Sequence, residues 1–259
     1  MTQTERRLYL IAALLKEQPR FSKIEIPCDK QEQKRLLRSL FNIRMPKTVT
    51  EEFLMVQNAY LKEEIRRNGI TELSNLEPVS KEIYLWRGDI TTLKCDAIVN
   101  AANSQMLGCF CPNHGCIDNA IHTFAGVQLR LACRDLMKQQ GHEEETGKAK
   151  ITPAYNLPSR YVIHTVGPIV YGGLTKKDKD LLASCYRSCL ELAERKGLKS
   201  IAFCCISTGE FHFPNDKAAQ IAIETVKRHK EETQSEIEVI FNVFKKLDYN
   251  IYKRLLKAD

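Results

Sequence analysis

Residues 201–206 are apolar at every position and run directly into Ser-Thr-Gly. A strand of this kind has no polar face to turn toward water, so it fits a sheet that is covered by helices on both sides. From Lys81 onward the chain alternates apolar strand patterns with helical patterns. This alternation predicts an α/β domain in which helical layers enclose the sheet.

The elements of this region can be bounded from hydrophobic periodicity and from the residues that punctuate it. Strands are predicted at 83–86, 97–100, 150–155, 161–166, 200–206 and 238–244. Helices are predicted at 117–140, 177–196, 215–230 and 249–257. The sequence contains no internal repeat and no low-complexity segment.

The residues before this region have helical rather than strand periodicity. Helices are predicted at 4–16, 29–41 and 50–67, with Asp29 as a candidate cap and two glutamates in the first turn of the third helix. We therefore expect a helical N-terminal extension over 1–75. The segment 75–78 would join it to a second unit over 78–259.

Composition and charge bear on three questions: membrane insertion, the redox state of the cysteines, and nucleic acid as a partner. No run of 18 apolar residues occurs, so no membrane span is expected. The first residues lack the pattern of a signal peptide, and the ten cysteines are expected to be reduced in a cytoplasmic protein. The net charge of +7 is spread among interspersed acids and bases. That distribution gives little support to nucleic acid as a partner.

Cys109, His114 and Cys116 lie within eight residues. Two thiols and an imidazole at this spacing predict a site for one zinc ion per chain. Three protein ligands leave one tetrahedral position open, as in sites where the metal takes part in chemistry. Cys111 shares the segment and is the rival ligand to Cys109.

Three loops follow predicted strands, at 86–91, 100–116 and 206–214. In open α/β sheets, ligands bind outside the carboxyl ends of the strands, where these loops would meet. The small residues Ser207, Thr208 and Gly209 precede a helix and suit a phosphate cradle. The same three residues would also suit an ordinary turn.

Taken together, the motifs have a recognisable order along the chain. They are Gly-Asp-Ile-Thr at 88–91, Ala-Ile-Val-Asn-Ala-Ala-Asn at 97–103, Cys-Ile-Asp at 116–118, His-Thr-Val-Gly-Pro at 164–168 and Ile-Ser-Thr-Gly at 206–209. Over 78–259 this order resembles the macrodomains. The segment 108–118 resembles the signature of the zinc-dependent macrodomains of bacteria and fungi, where MacroD-type members have a run of glycines.

The resemblance implies a three-layer α/β/α macrodomain with a central mixed sheet, preceded here by the helical extension. It also implies an ADP-ribose site. By this resemblance, the Asp89 carboxylate would accept a hydrogen bond from the adenine amino group, and Ile90 would contribute a backbone contact. Asn103 and Asp118 would lie at the distal ribose as the catalytic residues.

The remaining implied contacts come from the third loop. Ser207, Thr208 and Gly209 would wrap the diphosphate, and Phe211 would lie against a ribose. Glu210 stands where MacroD-type members have an apolar residue, and it would reach toward the reacting centre.

Plainer interpretations compete with several of these roles. Asp89 could only begin a turn, Asp118 could only be a favourable charge at a helix start, and Asn100 could cap its strand. His164 fits a hydrogen-bonded core histidine, and His122 would share a helix face with Asp118. His212 stays open.

The resemblance implies a protein-ADP-ribose hydrolase that uses zinc and water to release ADP-ribose from acidic side chains. Some members of the family that the chain resembles are encoded beside a sirtuin-type transferase that modifies a lipoyl-carrier protein, so an ADP-ribosylated lipoyl-carrier protein is a candidate partner. The alternatives are an O-acyl-ADP-ribose deacylase and a non-catalytic ADP-ribose reader with structural zinc. A nucleic-acid-binding finger fits least, because no fourth ligand is present.

Overall fold

The computed structural model describes residues 1–21 and 23–257. Residue 22 of the predicted extension and residues 258–259 of the predicted second unit lie outside this description. Its helices are α1 (Gln3–Lys16), α2 (Lys30–Ile43), α3 (Glu51–Asn68), α4 (Ile117–Ala125), α5 (Val127–Gln140), α6 (Lys176–Arg195), α7 (Asn215–Thr233) and α8 (Lys246–Lys257). Its strands are β1 (Thr71–Glu72), β2 (Pro78–Ser80), β3 (Ile83–Arg87), β4 (Leu93–Lys94), β5 (Ala97–Ala102), β6 (Ala149–Pro153), β7 (Tyr161–Val166), β8 (Ser200–Phe203) and β9 (Glu238–Val243).

The three N-terminal helices begin at side-chain caps. Thr2 and Glu5 form a reciprocal capping box at the start of α1. Asp29 accepts hydrogen bonds from two backbone N–H groups of α2, and Thr50 accepts one from Phe53 in α3. These bonds satisfy donors that a helix N-terminus otherwise leaves unpaired, which explains why the helices start where the sequence predicts.

Helices α1, α2 and α3 form a hydrophobic cluster of their own. Its fully enclosed members include Leu10, Ile11 and Leu14 from α1, together with Leu40 from α2. Val127, the first residue of α5, also belongs to this cluster. The extension is thus packed on the rest of the chain through an apolar contact.

The main sheet has seven strands in the order β2-β3-β9-β8-β5-β7-β6. The strands from β3 to β7 in this order are parallel, while β2 and β6 pair antiparallel at the two edges. The central strands are buried along their length, as a sheet covered on both faces requires. Helices α6, α7 and α8 pack in series, and α4 packs on β5 and α5.

This architecture confirms the predicted fold class. It is an α/β fold with a mixed central sheet and flanking helices, and three helices precede the sheet. Most predicted elements occur within two or three residues of their expected bounds.

One prediction about the helices is wrong. The single helix predicted over 117–140 is two helices, α4 and α5, which are separated at Gly126. Gly126 has φ +94°, and a Cβ at this position would lie 2.7 Å from Nε2 of Gln57. Gln57 of α3 also accepts the hydrogen bond of the Val127 N–H over 2.9 Å. The break is therefore fixed by a tertiary contact that local periodicity does not show.

Strand β8 is shorter than predicted, because it ends at Phe203 instead of residue 206. Cys204 and Ile206 remain buried, but the backbone has left the sheet. Thr208 donates from both its N–H and its hydroxyl to the carbonyl of Cys205, which bends the chain into the following loop. The apolar run 201–206 therefore indicates buried residues, but it does not show where the strand ends.

A small parallel pair lies beside the main sheet. Strand β1 pairs with β4, and this joins the end of the predicted extension to the segment between β3 and β5. Among residues 1–21 and 23–257, no helix has the combination of length and apolarity needed to cross a membrane.

Candidate active site

The three predicted site loops leave parallel strands at one edge of the sheet. They follow β3, β5 and β8, which run in the same direction. The carboxyl ends of these strands therefore face the same side, where open α/β sheets bind ligands. The structure confirms this common placement of the three loops.

The loop between β5 and α4 carries the cysteine and histidine cluster. It enters through Gly108, whose φ is +80° and where a Cβ would lie 2.7 Å from the ring of His122. Only a residue without a Cβ avoids that clash and that strained backbone. The loop ends at Cys116, which is the N-cap of α4 and accepts the N–H of Asn119 at its sulfur over 3.4 Å.

Cys109, His114 and Cys116 come together as the sequence predicts. Their ligand atoms all lie within 4.8 Å of one another, and Sγ of Cys109 is 3.7 Å from Nδ1 of His114. All three residues are partly exposed, and Cys111 is exposed outside this group. Two sulfurs and one imidazole nitrogen, convergent and reachable from solvent, are a donor set that fits zinc.

Glu210 lies on the far side of the His114 ring. Its Oε1 is 3.5 Å from Nε2 of His114, while Nδ1 of the same ring faces Cys109. A carboxylate behind an imidazole fixes the orientation and tautomer of a ligating histidine. The structure thus places the exposed Glu210 carboxylate beside the cysteine and histidine cluster.

Asp118 is in the first turn of α4 and is 5% exposed. Its Oδ1 accepts a hydrogen bond from Nδ2 of Asn100 over 2.8 Å. Burial raises the pKa of Asp118 to about 6, against the opposing effects of the Asn100 hydrogen bond and the Arg130 charge. A favourable charge at a helix start is effective on the surface and does not require this burial, which has a cost in free energy.

The two histidines behind Asp118 have different surroundings. His164 is fully buried and both ring nitrogens have partners, Asn100 at 3.2 Å and Thr152 at 2.9 Å. Burial lowers the pKa of His164 to about 3, so the ring is neutral. Nε2 of His122 lies 3.5 Å from Oδ1 of Asp118, which confirms that both residues share one face of α4.

Asn103 lies just beyond the end of β5. Its Nδ2 donates to the carbonyl of Gly108 over 3.3 Å, while its buried Oδ1 has no hydrogen-bond partner in the described chain. The side chain therefore braces the start of the cysteine and histidine loop. An enclosed amide oxygen without a partner is also suited to meeting a ligand hydroxyl.

Asp89 caps a short turn after β3. Its Oδ1 accepts from both the N–H and the hydroxyl of Thr91, at 2.9 and 2.7 Å. The turn role proposed for this residue is thus present in the structure. Within the part of the chain described, the hydrogen bonds of this carboxylate fall on Oδ1, and Ile90 beside it is buried.

The loop after β8 is held close to β7. Ser207 has φ +64° and is buried, and a Cβ on Gly167 would lie 2.1 Å from the Ser207 hydroxyl oxygen. Glycine at position 167 therefore allows the two loops to approach. Thr208 is partly exposed and Gly209 is exposed, as a phosphate cradle requires.

The last part of this loop is tied to its neighbours through the backbone. Phe211 is partly exposed, and its carbonyl accepts the N–H of Val170 over 2.9 Å. His212 is exposed, and its backbone N–H donates to the carbonyl of Gly209. Among the described contacts, none links the His212 ring to the cysteine and histidine cluster.

Sequence reasoning missed several residues that shape the site. Asn100 was considered only as a strand cap, although an Asn inside an apolar strand is itself a signal of a buried polar network. Arg130, Arg38 and Asn42 also bond to the loop or to its supports. No local pattern marks these three residues, because they meet the site from distant parts of the chain.

Curated relatives match nearly the whole chain. A protein-ADP-ribose hydrolase of Treponema medium is 58% identical over 260 residues, which cover 99% of this chain and 100% of that protein. A protein-ADP-ribose hydrolase of Staphylococcus aureus is 49% identical, over 97% of this chain and 95% of that protein.

Solved structures and a family model agree with these relatives. A Trypanosoma brucei macrodomain in complex with ADP-ribose has a TM-score of 0.66 and 31% identity, over 85% of this chain and 94% of its own. An Oceanobacillus iheyensis macrodomain variant with ADPR has a TM-score of 0.63 and 38% identity, over 71% and 96%. The Macro domain model matches residues 99–222. The loops, the sheet and the relatives lead to one conclusion: this chain belongs to the macrodomain family.

Proposed function

We propose that this chain hydrolyses the bond between ADP-ribose and modified proteins, and that it uses one zinc ion held by Cys109, His114 and Cys116. The name protein-ADP-ribose hydrolase, carried by relatives at 49% and 58% identity over almost the full chain, supports the activity. The convergent donor set supports the metal. The linkage is proposed to be an ester to an acidic side chain.

Zinc would bring Lewis acidity to the site, through the coordination position that three protein ligands leave open. Glu210 would keep the His114 ring in the orientation that presents Nδ1 beside Cys109. Cys116 would fix its sulfur at the start of α4, because it is also the helix cap.

The remaining loops would hold the ADP-ribose. Oδ1 of Asp89 accepts the hydrogen bonds of its turn, which leaves Oδ2 for a ligand. A carboxylate oxygen is the right acceptor for the adenine amino group. Ile90 would add a backbone contact. The exposed backbone of the 207–209 turn would donate N–H groups to the diphosphate, and Phe211 would lie against a ribose.

Hydrolysis would take place at the distal ribose. Asn103 would accept a hydrogen bond from a ribose hydroxyl with its unpartnered Oδ1. Water oxygen would bond to the anomeric carbon while the bond from that carbon to the protein carboxylate breaks. The bonding electrons would leave on the carboxylate, and Asp118 would orient the water and take its proton.

One observation carries this proposal. The start of α4 presents the candidate metal ligand Cys116 and the buried Asp118 two residues apart, and Asn100 donates a hydrogen bond to the Asp118 carboxylate. A structural zinc site would not need a buried carboxylate beside it. The pairing of a candidate metal ligand with a positioned carboxylate favours catalysis over binding alone.

Release of ADP-ribose from a protein that is mono-ADP-ribosylated on acidic residues tests the proposal. We expect Asp118→Asn and Cys116→Ala to lower the rate by at least about 100-fold, the range of general acid–base catalysis. Lys177→Ala, on an exposed helix start far along the chain, is the control. Full activity of metal-free Cys116→Ala protein would exclude the zinc mechanism.

The same assay separates the alternatives. A higher rate with O-acyl-ADP-ribose than with modified protein would indicate a deacylase. Tight calorimetric binding of ADP-ribose without turnover of either substrate would indicate a reader with structural zinc. An ADP-ribosylated lipoyl-carrier protein, with its unmodified form as the control, is the protein substrate that we propose to test first.

A further inference from the structure

We propose that helix α2 of the N-terminal extension is a positioning element for the cysteine and histidine loop, and that Arg38 and Asn42 are its positioning residues. This inference rests on the proposed function, because the loop matters only if its ligands take part in the reaction. It assigns a task to an extension whose role the sequence does not give.

Asn42 holds the backbone on the N-terminal side of His114. Its Oδ1 accepts the N–H of Asn113 over 2.9 Å, and its Nδ2 donates to Thr123 of α4 over 2.9 Å. Asn42 is 1% exposed, and its bond to Thr123 is buried, while its bond to Asn113 is partly buried. Asn113 has φ +54°, in the left-handed region that asparagine adopts more readily than most residues, and the bond to Asn42 holds its N–H in that turn.

Arg38 holds the C-terminal side of the same residue. Its guanidinium donates to the carbonyl of His114 over 3.1 Å. It also donates from two nitrogens to Oδ1 of Asn119, at 3.2 and 2.9 Å. Asn119 in turn donates from Nδ2 to the carbonyl of Cys111 over 2.9 Å. The planar fork of arginine is suited to joining several acceptors in this way.

The backbone around His114 is thus bonded to α2 on both sides. The loop itself offers little else, because within the described chain it contains neither helix nor strand between β5 and α4. Without these bonds, His114 would keep one backbone bond to Cys111, at 3.3 Å, and the contacts of its ring with Cys109 and the exposed Glu210.

Helix α2 is itself held in place by hydrogen bonds from Arg130 of α5. Nη1 of Arg130 donates to the carbonyls of Phe41, Asn42 and Arg44 at the end of α2. Nε of the same residue donates to the carbonyl of Leu107, at the start of the loop. One buried guanidinium therefore connects the end of α2 with the entrance of the loop, and α2 reaches the middle of the loop through Arg38 and Asn42.

A misplaced catalytic group costs rate more than it costs binding, and a shift of about 1 Å can cost about 100-fold. We expect Arg38→Met to lower kcat about tenfold, with KM little changed, in the zinc-loaded full chain. Arg38→Lys would keep one donor but not the fork, so its loss should be smaller. Arg35→Met is the matched control, because Arg35 is an exposed arginine on the same helix without a described side-chain partner.

Two readouts do not depend on turnover. Asn42→Ala should speed hydrogen exchange at the Asn113 N–H, which loses its acceptor, and should leave exchange in β5 unchanged. Arg38→Met and Asn42→Ala should both release zinc to a chelator faster than Arg35→Met. Unchanged exchange together with unchanged zinc release would overturn the inference.

These readouts separate this inference from the proposed function. If the wild-type protein releases no ADP-ribose, the proposed function fails, while exchange and zinc release still decide whether α2 orders the loop. If wild-type turnover is normal and Arg38→Met behaves like Arg35→Met in kcat and in zinc release, the positioning role is wrong and the function stands. A fall in kcat that matches a loss of folded protein would reduce Arg38 to a stabilising residue and also overturn the role.

Discussion

Asn100 donates from Nδ2 to Oδ1 of Asp118 over 2.8 Å, from the interior of strand β5 to the first turn of α4. The same amide nitrogen is 3.2 Å from Nδ1 of His164, so both of its hydrogens have acceptors. Asn100 is fully buried, and its Oδ1 has no partner among the described residues. The rotation of the Asp118 carboxylate is therefore fixed by one amide that has no freedom to turn.

Replacing Asn100 tests this relationship. We expect Asn100→Ala to lower kcat for release of ADP-ribose by about 10- to 100-fold, because Asp118 loses the donor that orients it. Asn68→Ala, at the exposed end of α3, should have no effect. An Asn100→Ala protein with wild-type kcat would show that Asp118 needs no orientation from β5.

Buried His164 makes stability depend on pH. Its folded pKa of about 3 lies below the usual value of 6.5, so its contribution is complete above pH 6.5 and is lost as the pH falls toward 3. Between pH 6.5 and pH 5 this one group should remove about 2 kcal/mol of unfolding free energy. Urea unfolding of wild type and His164→Gln at both pH values measures the difference.

The comparison with His164→Gln isolates the contribution of that ring. Burial also lowers the pKa of His122, which acts in the same direction, and raises that of Asp118, which acts in the opposite one. Both groups are present in both proteins. Parallel losses of stability in the two proteins would contradict the prediction.

Gly108 tests the fit between the loop and α4. A side chain at φ +80° is strained, and its Cβ would lie 2.7 Å from the His122 ring. We expect Gly108→Ala to lower the free energy of unfolding by about 1–3 kcal/mol, through strain and overpacking together. Gly173→Ala has open space around it and provides the control. Equal unfolding midpoints for the two variants would count against the predicted clash.

The two rival cysteines can be separated by metal content. Cys109 is in the convergent group and Cys111 is exposed outside it. We expect Cys109→Ser protein to lose its zinc during dialysis against a chelator, and Cys111→Ser protein to retain about one zinc per chain. Metal analysis after dialysis gives the answer, and the reverse pattern would assign the ligand role to Cys111.

Much of the fold could be predicted because its signals are local. The caps at Asp29 and Thr50 occur where the helices begin, and strand β7 has the predicted bounds. The break at Gly126 could not be found in this way. It depends on Gln57, which lies about 70 residues earlier and reaches the junction of α4 and α5 only in the folded chain.

The candidate site shows the same difference between local and long-range signals. Cys109, His114 and Cys116 are neighbours in sequence, so their spacing predicts their convergence, and the structure confirms it. The bonds from Arg38 and Asn42 span 71 to 81 residues and follow no periodic pattern. Short-range spacing can therefore reveal donors, while the residues that orient them appear only in three dimensions.

The four hydrogen bonds of Arg130 join parts of the chain that the ribosome makes at different times. Helices α1, α2 and α3 can bury most of their shared apolar cluster once the first 68 residues have emerged. The carbonyls at the end of α2 gain their guanidinium donor only when Arg130, which lies 86 to 89 residues later, has been synthesised. Until Arg130 has been synthesised, these carbonyls lack their guanidinium donor, and so does the Leu107 carbonyl at the start of the cysteine and histidine loop.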